Sequence, residues 1–200
     1  MRLILMLVAA LLLPTADISK GVAPSAVLAY RGFTVDVSAA RDAGDLGDIE
    51  TSVKHQLDIV ADCGAGPTVL AFFRAQRIAL GPKTGNEGRF SEKLGVQIDA
   101  VPEPTGEPIV LHELLHAFHA RMLPGGFRNP QIVDYYSRAK EAKVYPDDAF
   151  VLKNPLEFFA VTASLYLYGH VDRPPFTREI LRSRQPYYYA WLGRLFGVQK

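Results

Sequence analysis

The segment over residues 109–118, Ile-Val-Leu-His-Glu-Leu-Leu-His-Ala-Phe, constrains this chain more than any other. In an α-helix, residues four apart lie on the same face, so His112 and His116 would direct their imidazoles to one point. Glu113 lies about 100° around the helix axis from His112, where its carboxylate would flank that point without occupying it. This His-Glu-x-x-His spacing is typical of a zinc site in which the glutamate acts on water.

The other residues of this segment are apolar on every side, so the helix is predicted to be buried. Burying two histidines and a glutamate is costly unless they have partners, and a metal ion would provide one. The alternative is a core helix with two hydrogen-bonded histidines and a capped glutamate, because short motifs also occur by chance.

The length and composition are those of a globular protein. The 200 residues are enough for one domain with a substantial core, and 48% hydrophobic with 22% charged residues argues against disorder. The formal net charge is +1 and no basic patch is interleaved with aromatic residues, so we expect no nucleic-acid partner. The single cysteine, Cys63, cannot form an internal disulfide and is expected to be a small buried residue at a helix end.

The first residues have the pattern of a secretory signal peptide. Met1-Arg2 precede an apolar run over residues 3–13, and Pro14-Thr15-Ala16 supply small residues of the kind found at a signal-peptide cleavage site. The run is well short of the roughly 20 residues that span a bilayer. We therefore predict a signal peptide over residues 1–16, export to the periplasm or the medium, and no transmembrane span after its removal. The alternative is an uncleaved N-terminal anchor.

The first half of the mature chain is predicted to form strands and one helix. The expected elements are a strand bent at Gly32 over residues 27–37, an amphipathic helix over 46–63, an extended segment over 77–80 and a strand over 90–100. Residues 68–76 fit a short helix and a strand equally well.

The second half predicts helices only. They are the motif helix, opened by Pro108 and capped by Thr105 or Glu107, and helices over residues 130–143, 156–168, 177–182 and 186–196. This segregation favours an α+β fold, in which a small N-terminal mixed sheet with a helix packs on a C-terminal helical subdomain. We expect residues 27–200 to form a single domain.

A catalytic zinc ion takes three protein ligands, so a third ligand is required beside the two histidines. Glu157 is the best candidate, because it is the only acid in the apolar helix over residues 156–168. The alternative is that Glu157 closes its own helix in a capping box with Asn154. His119 would not converge easily with the other two histidines, and His170 is expected at the surface.

Zinc held by two histidines and a carboxylate predicts hydrolysis. Zinc lowers the pKa of bound water from 15.7 toward about 7 and polarises a carbonyl group. Glu113 would accept the water proton and pass it to the leaving amine. The oxyanion needs a further donor, and Tyr145 is one of several tyrosines considered for that role.

Two segments together resemble a known family. His112-Glu-Leu-Leu-His116 followed by Asn154-Pro-Leu-Glu157-Phe-Phe-Ala160 is similar to the catalytic domain of anthrax lethal factor and its relatives, zinc metallopeptidases of the gluzincin type. The resemblance extends from about residue 109 to the C-terminus. It implies a zincin-like fold, a Zn²⁺ cofactor and endopeptidase activity on a peptide or protein. It also implies His112, His116 and Glu157 as ligands and Glu113 as the general base.

Two positions depart from the lethal factor pattern. Phe150 stands where that pattern has a tyrosine that assists the oxyanion, and Val161 where it has a second glutamate that orients a histidine. Losing such an orienting partner costs roughly 10–100-fold in metal affinity or activity. An alternative hypothesis is therefore a zinc-binding, catalytically impaired relative that acts as a binding or regulatory protein.

Overall fold

The computed structural model describes residues 26–41, 45–85, 87–171 and 176–200. The predicted signal peptide over residues 1–16 and its junction with the mature chain lie outside these residues. Within the described part of the chain, no helix combines the length and the apolar character needed to cross a bilayer.

A five-stranded mixed sheet occupies the N-terminal half of the chain. Its strands are β1 (Val27–Tyr30), β2 (Phe33–Asp36), β3 (Ile78–Gly81), β4 (Gly88–Ser91) and β5 (Gly95–Asp99), in the order β1-β2-β3-β5-β4. Strands β2, β3 and β5 run parallel, whereas β1 and β4 are antiparallel to their neighbours. This order leaves β4 at one edge of the sheet.

The strand predicted over residues 90–100 is confirmed only for its second part: residues 95–99 form β5, whereas residues 90–91 end β4, and the two strands form a β-hairpin. The chain reverses over residues 92–94, where the Ser91 hydroxyl accepts a hydrogen bond of 3.1 Å from the Leu94 N–H. Gly95 then adopts a φ of +77°, a conformation that side chains disfavour, and a Cβ there would collide with the Arg77 carbonyl. The alternation of Val96 and Ile98 with Gln97 and Asp99 therefore belongs to β5.

The helices follow the predicted order, with one addition. They are α1 (Leu46–Asp62), α2 (Pro67–Arg74), α3 (Ile109–Met122), α4 (Pro130–Glu141), α5 (Pro155–Leu167), α6 (Arg178–Arg184) and α7 (Pro186–Phe196). Helix α2 resolves the segment over residues 68–76, and Cys63 is buried at the end of α1 as predicted. A short two-stranded sheet, β6 (His170–Val171) and β7 (Phe176–Thr177), was not predicted.

Helix α3 lies between the sheet and the helical half of the chain. It packs against α5 on one side, against β4 and β5 on another, and against α1 near its start. Its central apolar residues Val110, Leu111, Leu114 and Leu115 have no exposed surface. A helix that is apolar on all sides is stable only when it is enclosed in this way. The α+β arrangement and the buried motif helix are therefore confirmed.

Candidate active site

Three side chains from two helices meet at one point between α3 and α5. His112 and His116 extend from consecutive turns of α3, and Glu157 extends from the first turn of α5. The two Nε2 atoms are 3.0 Å apart, and Glu157 Oε2 lies 3.2 Å from that of His112 and 3.3 Å from that of His116. The sequence predicted that these side chains would converge, and the structure brings them together.

The spacing of these three atoms suits a tetrahedral zinc ion. Bonds of about 2.0–2.1 Å separate neighbouring ligand atoms by about 3.3 Å, which is close to all three observed distances. The side chains are 11–20% exposed, so the group is enclosed but not sealed from solvent. All of the candidate ligand atoms lie within 4.8 Å of one another, which makes the set able to hold a metal ion.

The carboxylate of Glu157 does not take part in a capping box. Asn154 alone caps α5, since its side-chain oxygen accepts hydrogen bonds of 2.9 Å from the N–H groups of Leu156 and Glu157. The Glu157 carboxylate faces the two histidines instead. Burial alone would raise the pKa of Glu157, but hydrogen bonds from His112 and His116 outweigh burial and hold it well below its usual range.

Glu113 lies beside this group and faces strand β4. It is 6% exposed, and its Oε2 atom has no hydrogen-bond partner among the described residues. Burial raises its pKa to about 7, with the charge of His116 acting in the opposite direction. Gly88 of β4 packs against this side chain so closely that a Cβ would lie 2.9 Å from Glu113 Cγ. A buried carboxylate with a pKa near neutrality is suited to take up and release a proton.

Gln56 of α1 holds the start of the motif helix. Neither Thr105 nor Glu107 provides the predicted side-chain cap. Instead the Gln56 side chain accepts a 3.2 Å hydrogen bond from the Val110 N–H and donates one of 2.7 Å to the Glu107 carbonyl. The sequence does contain a signal for this residue, because Gln56 is a polar residue within the apolar stripe of α1, between Val53 and Val60.

The other histidines that were considered as ligands lie apart from the group. His119 is fully buried and packs against the rings of Phe127 and Phe159, with centroid distances of 5.3 and 4.9 Å. Burial lowers its pKa to about 4, and neither ring nitrogen has a partner among the described residues. His170 is exposed on β6, as expected of a surface residue.

The residues that were considered for the oxyanion also have distinct positions. Tyr145 is buried and its hydroxyl donates a 2.9 Å hydrogen bond to the Gln185 side chain, so the structure does not support it as an oxyanion donor. Phe150 is exposed, with its ring 6.4 Å from the His112 ring between centroids. Both Phe150 and Val161 line a cavity of about 120 Å³ that opens beside His112 and Glu113.

Comparisons with known proteins agree with this architecture. No family model matches the chain. The Pro-Pro endopeptidase of Paenibacillus alvei is 31% identical over 87 residues, which are 44% of this chain and 37% of that protein. The solved structure of a Pro-Pro endopeptidase from the same organism matches with a TM-score of 0.56 at 19% identity, over 81% of this chain and 97% of that chain.

These comparisons differ in what they establish. The structural likeness shows a shared mixed α+β fold. The sequence match covers little more than a third of the length of the curated relative. The activity of that relative is therefore only proposed for this chain. The resemblance to lethal factor-type peptidases and the roles of the four site residues stay predictions.

Proposed function

We propose that this protein is a zinc-dependent endopeptidase of the gluzincin type, similar to lethal factor. The observation that carries the proposal is the triangle formed by two imidazole nitrogens and one carboxylate oxygen, with sides of 3.0–3.3 Å. His112, His116 and Glu157 would hold the metal ion, and Glu113 would act as the general base. The likeness in sequence and fold to proteins named as endopeptidases supports the same activity.

The chemistry divides between the metal and Glu113. When it is bound, zinc supplies Lewis acidity, which activates water and polarises a carbonyl group. Glu113 accepts a proton from the attacking water and delivers it to the leaving amine. Its buried position favours this exchange, because burial raises the pKa of its carboxyl group to about 7. Gly88 leaves the room that this carboxylate needs to remain beside the reacting groups.

A peptide substrate can align along the outer edge of strand β4. Strand β4 ends the sheet and packs against α3, so its outer edge runs beside the motif helix. An extended peptide that adds to a sheet edge gains main-chain hydrogen bonds without regard to its sequence. In this position the peptide would pass Gly88 and bring one of its carbonyl groups near Glu113.

The name of the Paenibacillus relative suggests which peptides to test first. That protein is called a Pro-Pro endopeptidase, and we propose peptides with consecutive prolines as initial substrates for this chain. Peptides without proline complete the test set, because the matched region covers only part of that relative. We also propose that the protein is exported, on the basis of the signal-like pattern over residues 1–16 alone.

The decisive experiment compares the zinc-loaded wild type with the Glu113→Gln variant on this peptide set. We expect cleavage by the wild type, and a loss of at least about 100-fold in the variant while zinc is retained. Glu141→Gln, at the exposed end of α4, is the matched control and should cleave like the wild type. Equal cleavage by the wild type and Glu113→Gln would refute the assigned role of Glu113.

A second candidate function rests on Phe150 and Val161. Both line the cavity beside His112, and neither side chain can donate or accept a hydrogen bond there. A zinc-binding relative that has lost turnover would hold one zinc ion per chain, bind peptides and cleave none. Stoichiometric zinc without hydrolysis of any peptide in the set would therefore favour a binding or regulatory role.

A further inference from the structure

The side chain of Arg121, near the end of the motif helix, connects three separate parts of the fold. Its Nη1 atom donates a 2.6 Å hydrogen bond to the side chain of Gln76, which follows α2 and is 9% exposed. Its Nη2 atom donates one of 3.3 Å to the Glu92 carbonyl, in the turn of the β4–β5 hairpin. Its guanidinium group also lies over the Phe90 ring of β4, 5.2 Å from the ring centroid.

The ion pair between Arg121 and the Glu92 carboxylate is the weakest of these contacts. The Arg121 Nε atom lies 3.2 Å from Glu92 Oε2, but the two side chains are 35% and 61% exposed. Ion pairs that solvent reaches contribute little to stability. The connection therefore depends on the Gln76 side chain, the Glu92 carbonyl and the Phe90 ring, which a planar guanidinium group with several donors can contact at once.

Strand β4 is held along the motif helix at both of its ends. At the start of the strand, Gly88 packs against Ile109 and Glu113. At the other end, Arg121 holds the carbonyl of Glu92. The strand extends about 13 Å from Gly88 to Glu92, and the helix rises about 12 Å from Glu113 to Arg121, so the two contacts are matched in spacing. One contact beside Glu113 and one at Arg121 therefore set the position of β4 relative to the proposed zinc site.

The main-chain groups at the free edge of β4 are those of Gly88 and Phe90. In an antiparallel pair, hydrogen-bonded residues alternate with residues whose main-chain groups point away from the partner strand. The Asp99 N–H donates a 2.8 Å hydrogen bond to the Glu87 carbonyl, which fixes this alternation along β4. Gly88 and Phe90 therefore direct their main-chain groups away from β5. Phe90 is also the residue on which the Arg121 guanidinium group lies.

We propose that Arg121 is a positioning residue, which holds the free edge of β4 where the main chain of an extended substrate binds beside the zinc site. This inference rests on the proposed function. Arg121 acts through Phe90 and Glu92 rather than on the substrate itself. Peptides with consecutive prolines are compatible with this role, because proline lacks an N–H but keeps its carbonyl group, and the residues that flank the prolines keep both groups.

The test compares two zinc-binding probes that differ only in main-chain donors. They are acetyl-Ala-Ala-Pro hydroxamate and the same molecule methylated at both alanine nitrogens, and their affinities are measured by calorimetry. Donors alternate along a strand, so one alanine N–H would face β4. One net hydrogen bond corresponds to about a five- to tenfold preference of the zinc-loaded wild type for the unmethylated probe. Effects of methylation on the free probe are the same for every protein variant and cancel in the comparison.

Three variants locate the effect. Arg121→Met keeps the length of the side chain without its hydrogen bonds, so the preference should fall to less than about twofold. Arg121→Lys keeps the charge and one donor group and should recover part of the preference. Arg138→Met is the matched control, because Arg138 is 70% exposed and pairs with Asp134 on α4, and it should behave like the wild type.

Kinetic constants and zinc affinity separate positioning from a general structural role. For peptides that the wild type cleaves, Arg121→Met should raise KM severalfold and change kcat by less than about twofold. Its zinc affinity, measured with a competing chelator, should equal that of the wild type, because the proposed ligands lie on α3 and α5. A fall in zinc affinity as large as the loss of probe preference would assign Arg121 to the stability of the whole fold and overturn the inference.

The outcomes for the inference and for the proposed function are distinct. Equal affinity of the wild type for both probes, or a preference that persists in Arg121→Met, would overturn the inference, and cleavage of peptides would leave the proposed function standing. A preference that Arg121→Met abolishes, without cleavage of any peptide by the wild type, would support the inference and contradict endopeptidase activity. A wild type that retains no zinc would contradict both.

Discussion

Removal of the Gln56 side chain should destabilise the protein and weaken the zinc site together. Gln56 is 1% exposed and joins α1 to both sides of the start of α3. In the Gln56→Leu variant the Val110 N–H, which belongs to the unsatisfied first turn of α3, loses its acceptor inside the core. The Glu107 carbonyl loses one partner but keeps the hydrogen bond that it accepts from the Ile109 N–H.

The expected magnitude follows from these two bonds. A buried N–H that is left without a partner costs about 1–3 kcal/mol, and loss of the bond to the Glu107 carbonyl about 1 kcal/mol more. We therefore expect Gln56→Leu to lower the free energy of unfolding by about 2–4 kcal/mol. Because Val110 is only two residues before His112, a frayed start of α3 should also reduce zinc affinity.

The assay is urea unfolding of the metal-free protein, followed by a zinc titration with a competing chelator. Lys54→Leu, on the same helix and away from the start of α3, serves as the control and should stay within about 0.5 kcal/mol of the wild type. Gln56→Glu keeps the acceptor for Val110 but not the donor for Glu107. Its free energy of unfolding should therefore lie between those of the wild type and Gln56→Leu. An unfolding midpoint in Gln56→Leu equal to that of the wild type would refute the reasoning.

Three further predictions concern titration and turnover. Glu113 must be ionised to accept a proton, and burial raises its pKa to about 7, so kcat/KM should fall as the pH drops. Bound zinc would shift this acidic side of the pH profile to lower pH. A kcat/KM that is constant from pH 4 to 9 would contradict the role of Glu113 as general base. Burial lowers the pKa of His119 to about 4, so stability is complete above pH 6.5 and is lost as the pH falls toward 4. Between pH 7 and 5 this contribution of His119 falls by about 2 kcal/mol, so the difference in unfolding free energy between the metal-free wild type and His119→Phe should change by that amount in urea unfolding. Phe150→Tyr restores a hydroxyl beside His112 and should raise kcat by roughly tenfold or more; an unchanged kcat would exclude the missing hydroxyl as the limit on turnover.

The residues of the candidate site were accessible from sequence because their signals are local. The spacing of His112 and His116 on one helix face follows from helical periodicity alone. Glu157 stood out as the only acid in an apolar helix, and the Asn154-Pro155 start of that helix was equally visible. Local patterns of this kind predicted six of the seven helices in the described part of the chain, and the separation of strands from helices.

The features that were missed depend on contacts between distant segments. Gln56 and Val110 are 54 residues apart, and nothing near Thr105 shows that the cap of α3 comes from α1. The role of Gly88 has no local signal, since it depends on the close approach of β4 to Glu113. The separation of β4 from β5 depends on the pairing of the two strands across the turn over residues 92–94, which no single residue of that turn signals.

Zinc content tests the central claim most directly. Elemental analysis of the purified protein, after dialysis against zinc and then against metal-free buffer, should give one zinc ion per chain. The His112→Ala and Glu157→Ala variants should retain much less, and a chelator should lower the melting temperature of the wild type only. A wild type that retains no zinc, with melting unaffected by the chelator, would contradict the account of His112, His116 and Glu157 as metal ligands.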